Sequence, residues 1–257
     1  MKFLQSLSAQ VSLFTQGAIL ALGVVFILLD VITESLNPVI DLAWVTVLVC
    51  GLPLLINSVQ SIWERLEIHA NFLIVVAMVA LISIGDYHTA AYVGLIVQAG
   101  FFLEQLIMGE SHYTVDDDML PTMPAQLVAM RQGINNYSSV IVVAVLLLSM
   151  GSFALTQDFI HTITLLLVLC PCSLELILVA LMMGSLVDDA SPVSELSKGT
   201  KQSHLGLLIV SIVFHVAIIC VGVLGLIAPV TAVALHGLAR LGLVYNLKVL
   251  NGSLCVA

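Results

Sequence analysis

The chain has 257 residues, of which 60% are hydrophobic and 9% charged, with a formal net charge of −9 and a mean hydropathy of +1.16. Soluble domains carry roughly 25% charged residues, so this composition excludes a soluble globular fold. It makes the lipid bilayer the chain's first partner and, charge being so sparse, leaves no nucleic-acid-binding surface to expect. Met1-Lys2-Phe3 opens with a lone lysine and no small-residue cleavage site, which reads as a mature start rather than a secretory leader. The cysteines at 50, 170, 172, 220 and 255 lie in or beside apolar segments and form no disulfide framework.

A membrane-crossing helix needs about 20 mostly apolar residues. In chain order, eight segments meet this, at about 11–30, 40–59, 70–85, 87–108, 138–156, 158–184, 204–226 and 229–250. Asn37-Pro38, Gly85-Asp86, Thr156-Gln157-Asp158 and Ala228-Pro229 punctuate four of the junctions. Residues 109–137 and 185–203 read as short polar connectors, too short for a domain with its own core. With the N-terminus inside, Lys2, Arg65, Arg131, Lys198, Lys201 and Lys248 all fall on the cytoplasmic side. The loops then outside carry Asp30, Glu34, Asp41, Asp86 and Asp158, a positive-inside split. The expectation is an all-α, eight-span bundle covering 1–257 as a single transmembrane domain, both termini cytoplasmic, in the cell (inner) membrane.

The most specific feature is Cys170-Pro171-Cys172 inside the apolar run 165–183. A mid-helix proline removes one backbone hydrogen bond and clashes with the preceding turn, so the helix is expected to kink or unwind. Within a bilayer such a break is tolerated where it is buried in protein or lines a cavity. Two thiols at the opened turn are soft metal ligands; the plain alternative is a packing kink with two buried cysteines. Elsewhere, Trp44 and Trp63 read as interface anchors. Gly94 and Gly100, with Ala90, Ala91 and Ala99, suit close helix packing, and Cys50 and Cys220 read as inert fillers.

These residues resemble the membrane domain of the heavy-metal-transporting P-type ATPases, the zinc, cadmium, copper and cobalt exporters. The sixth span, Leu165 to Leu174 around Cys-Pro-Cys, is similar to that family's fourth core helix. Gly51-Leu52-Pro53 through Arg65–Leu73 resembles the second span and its link into the third. Ile84-Gly85-Asp86-Tyr87-His88-Thr89 resembles the next turn, Phe102-Leu103-Glu104 the end of the following helix, and Tyr245-Asn246-Leu247-Lys248-Val249-Leu250 the end of the last. The resemblance implies an extra helix pair followed by a six-helix core. The family's phosphorylated Asp-Lys-Thr-Gly-Thr and actuator Thr-Gly-Glu do not occur here, nor does a phosphate-cradling glycine loop. No nucleotide and no ATP hydrolysis are expected. Asp116-Asp117-Asp118 reads as a solvated connector.

Ionisable groups inside spans are costly and face the bundle interior or a wet cavity. Here they are Glu104, Glu175, His215, His236 and Arg240. By the resemblance, His236 falls where zinc exporters place an acidic ligand and cobalt-type relatives a histidine, and His215 about where zinc exporters keep a lysine. The family's glycine-threonine pattern around His236 is not reproduced. Cys170, Cys172, His215 and His236 would make a sulfur/nitrogen set of the kind Zn(II) prefers, with copper or cobalt as other candidates; packing histidines are the alternative. Glu175 and Arg240 are expected to pair, placing a fixed arginine across the old ion route, and Glu104 to sit solvated at a helix end or to mark ion entry. Two functions follow. One is an accessory or structural subunit of a larger membrane complex. The other is passive transition-metal binding or transport through the Cys-Pro-Cys helix. Separate chains supplying the missing domains are disfavoured, because the connectors are too short to dock them.

Overall fold

The computed structural model describes residues 13–34, 42–65, 71–108, 125–170 and 196–254. Every element described is helical. They are α1 (Leu13–Glu34), α2 (Ala43–Arg65), α3 (Asn71–Ser83), α4 (Tyr87–Met108), α5 (Ala125–Thr156), α6 (Phe159–Val168), α7 (Leu196–Val223) and α8 (Pro229–Leu254). Stretches within three of them, Phe14–Thr33, Ala43–Trp63 and Tyr137–Thr156, are long and apolar enough to cross a membrane. Shorter apolar helices run over Asn71–Ser83, Phe159–Val168, Ile209–Val223 and Pro229–Tyr245. Large side chains such as Leu28, Leu147, Leu148 and Val213 point outward from these helices. An exposed apolar surface on this scale suits lipid rather than water as solvent, and the chain is a helical membrane protein.

The largest departures from the sequence reading are at two helix starts. α5 starts at Ala125 and α7 at Leu196, so both helices run into stretches expected to be connectors. Hydropathy marks where a helix enters lipid, whereas helical hydrogen bonding continues through polar residues such as those around Gln132 and Asn135. The acids assigned to outside loops also have structural roles. Asp158 caps α6, its carboxylate accepting from the N–H groups of Ile160 and His161, and Asp86 accepts from Thr89 N–H at the start of α4. Asp30 lies within α1 rather than in a loop and is buried.

The turns joining α3 to α4 and α7 to α8 use one device. Gly85 and Gly225 adopt positive φ, 84° and 70°. Around them Gly85 N–H donates to Ile82 O and Asp86 N–H to Leu81 O, while Gly225 N–H donates to Gly222 O and Leu226 N–H to Val221 O. This paired pattern is a Schellman closure, which an L side chain at the glycine would strain. Pro229 then opens α8 at the position where its missing N–H costs nothing.

α4 is the hub. It packs against α1, α2, α3 and α8, and α8 in turn packs on α6 and α7. α6 also meets α3, α5 and α7. The main core gathers Leu73, Leu81, Val93, Val142, Leu167 and Val233. A smaller cluster of Val168, Ile218, Ala232 and Ala239 binds α6, α7 and α8.

Candidate metal and ion-pair site

α6 stops at Val168, just ahead of Cys170-Pro171. Leu169 closes it with φ −81° and ψ 5°, its N–H donating to Leu165 O, and Cys170 follows outside the helix. The residue before a proline is biased away from helical geometry, so the break expected at the motif begins here. Cys170 is buried. Cys172 and Glu175 lie outside the described residues.

Cys170 lines a cavity of about 50 Å³ between α3, α4, α6 and α8, together with Gly100, Phe101, His236, Gly237 and Arg240. Since a water needs about 10–15 Å³ on this measure, the space suits a few waters or an ion with part of its shell. Among the described residues, a Cβ added at Gly100 or Gly237 would meet nothing within 4 Å, so both glycines border open space there. The sequence placed Gly100 on a packing face with Gly94; among the described residues, only Gly94 of the two lies against a neighbouring helix. At about 100° per residue, six residues turn the helix to another side.

His215 on α7 and His236 on α8 are both buried, with ring centroids 5.3 Å apart at an interplanar angle of 82°. His215 Nδ1 lies 2.9 Å from Ser211 O. A carbonyl only accepts, so Nδ1 is the protonated nitrogen. Fixing the tautomer through a backbone carbonyl is how proteins orient metal-ligating imidazoles; it is equally a way to satisfy a packed histidine. Cys170 and His236 thus face one cavity and His215 stands beside His236. Among the described residues, no three His, Cys, Asp or Glu side chains form a group able to hold a metal ion. The described His and Cys donors lining the cavity are Cys170 and His236, two where a tetrahedral zinc site uses three or four protein ligands.

Arg240 pairs with a residue the sequence did not assign to it, while its expected partner Glu175 lies outside the described residues. Arg240 Nη2 lies 2.9 Å from Glu104 Oε2, with the side chains 21% and 22% exposed. The guanidinium also stands over the Phe101 ring, 5.1 Å from the centroid, a cation–π contact. Glu104 is therefore bound rather than simply solvated at a helix end. The missed signal was the cost of an isolated charge in a span, which should have sent Glu104 in search of a partner on a neighbouring helix.

A second polar cluster sits at the other end of α4. The buried Asp30 accepts from Leu42 N–H (2.8 Å) and Ala43 N–H (3.2 Å), and its other oxygen lies 3.2 Å from His88 Nδ1. One α1 carboxylate thereby caps α2 and meets α4. Trp44 packs on Tyr87 beside it, rings 4.7 Å apart, while Trp63 is 80% exposed.

No protein-family model, curated protein or solved structure matches the chain.

Proposed function

We propose that the chain is an eight-crossing membrane bundle with both termini in the cytoplasm, built on the helix order of a P-type ATPase membrane domain, in the cell (inner) membrane. It does not hydrolyse ATP and serves as an accessory or structural subunit of a larger membrane complex. The observation that carries the static role is the Arg240–Glu104 bridge. A partly buried ion pair joining α8 to α4 pins the two helices together beside the cavity, and breaking such a pair leaves an uncompensated charge. Helices that open and close around a moving ion need the opposite. The contacts of α6 with both α7 and α8 support the P-type helix order, as does the helix break before Cys170-Pro171.

A second reading, passive transition-metal binding with zinc foremost, is favoured by one observation. Cys170 and His236 line the same cavity, and His215 is 5.3 Å from His236 ring to ring. Binding there would displace the thiol proton, so affinity would climb with pH.

The deciding experiment is metal analysis and subunit stoichiometry of the protein purified from its native membrane, beside a Cys170→Ser/Cys172→Ser variant. The structural role predicts no stoichiometric metal in either form and partner subunits at a fixed ratio. Near-stoichiometric zinc, lost in the variant, would replace it with the metal-binding reading.

A further inference from the structure

We infer that the α7–α8 turn is seated in the outer leaflet, its leucines in contact with phospholipid acyl chains rather than with water or a protein partner. The four outer turns differ in kind. The end of α1 and its connection to α2 carry Asp30, Glu34, Asn37 and Asp41, α3–α4 carries Asp86 and His88, and α5–α6 carries Gln157 and Asp158. From Val221 to Val230 the chain has no ionisable, amide or hydroxyl side chain. Leu224 and Leu226 are nonetheless 69% and 71% exposed. Apolar surface of this kind is costly in water and at home in lipid.

Contact with α6 sets the depth of the tip. A Cβ at Gly225 would lie 3.1 Å from His161 Nδ1, and His161 is three residues into α6 from its Asp158 cap. At 1.5 Å per residue the turn therefore stops about 5 Å short of the level of that carboxylate. At the same depth α6 itself exposes Phe159 and Ile160. The backbone suits an apolar medium as well. Leu224 N–H donates to Cys220 O, Gly225 N–H to Gly222 O and Leu226 N–H to Val221 O, while Ala228 O accepts from Ala232 N–H and from Thr231 Oγ1. Backbone groups that meet lipid must be satisfied from within the chain, and Pro229 removes a donor that would otherwise be free.

Composition selects lipid as the occupant. Protein docking sites concentrate Trp, Tyr and Arg, the side chains that carry most of their affinity, and none of these occurs from Leu205 to Ala239. Val213, Val216 and Val223 continue the exposed apolar surface along α7, whose main helix contacts are with α6 and α8. The tip is thus the outer end of a lipid-facing helix and not an isolated patch. The hairpin takes its depth from the bilayer, where the other outer ends are set by polar groups in water.

The inference rests on the proposed topology, which puts this turn on the outer side, and the two failures are told apart by a control in the polar α5–α6 turn. Full-length Leu226→Cys and Gln157→Cys are treated in intact cells with a membrane-impermeant maleimide, the wild-type protein giving the background. Gln157→Cys should be labelled from outside; labelling only after the membrane is opened overturns the topology, and the outer-leaflet seat with it. Leu226→Cys should react at least ~10-fold more slowly than Gln157→Cys, because apolar surroundings suppress the thiolate that reacts. Equal rates overturn the inference and leave the topology standing. The cover is then identified with Leu226→Trp in vesicles of brominated phosphatidylcholine. The emission it adds over the wild-type protein should be quenched relative to unbrominated vesicles. Added emission that bromine leaves unchanged means that another protein surface covers the tip, and overturns the inference equally. Where the Leu226 variants do not fold, Leu224→Cys and Leu224→Trp give the same two readings.

Discussion

Gly94 and Gly100 lie on the same helix, yet the structure uses them in opposite ways. At Gly94 a Cβ would come 2.9 Å from Met78 Cε and 3.4 Å from Cys50 Cβ; at Gly100 it would meet nothing within 4 Å among the described residues. The first belongs to a closed seam where α1, α2 and α4 meet, in which Gly23 would bring a Cβ to 2.8 Å from Cys50 Sγ and 2.9 Å from Leu95 Cδ1. The second borders the cavity shared with α8. The polar groups follow the same division. Near the seam, Asp30 is held by two backbone N–H groups and His88, whereas beside the cavity Glu104 meets the long side chain of Arg240. One half of the bundle is built for fixed geometry, and the other retains room.

The sharpest way to break this contrast is to overfill the seam. Gly23→Leu should destabilise the protein by about 3 kcal/mol, at the upper end of the overpacking range, read as a lowered unfolding midpoint in detergent. An unchanged midpoint would mean the seam yields. Asp30→Ala should cost about 2 kcal/mol, because two N–H groups at the start of α2 lose their acceptor. Asp30→Asn keeps an oxygen there and should recover much of the loss; equal damage from both substitutions would show that the charge, not the cap, matters. On the cavity side, Gly100→Ala should leave stability unchanged or raise it by up to about 1 kcal/mol through helix propensity. A clear loss would show the space to be smaller than described. His88→Ala should have the least effect, below about 1 kcal/mol, since the imidazole is half exposed.

Helix positions were legible from hydropathy, and Tyr87–Met108 falls where the sequence placed its fourth span. Hydropathy did not reveal where α5 and α7 begin, because those turns are polar and still helical. Gly85 was readable as punctuation, whereas at the last turn the sequence marked Ala228-Pro229 and not Gly225. For the site, each ionisable residue could be identified one at a time from the cost of burying it. Partner choice could not, since it depends on which helices touch. Arg240 meets Glu104 because α4 lies along α8, a contact no spacing within either helix encodes. The roles of Gly94 and Gly100 were inseparable for a related reason, as small residues look alike whether they admit a neighbour or leave a gap.

The central claim is that Glu104 and Arg240 bridge α4 and α8 across the edge of the cavity. A double-mutant cycle with Glu104→Gln, Arg240→Gln and the combined variant, read as unfolding free energy in metal-free detergent, tests it most directly. The bridge predicts a coupling of about 1–3 kcal/mol, the double variant being more stable than the sum of the single losses. Strictly additive losses would contradict it.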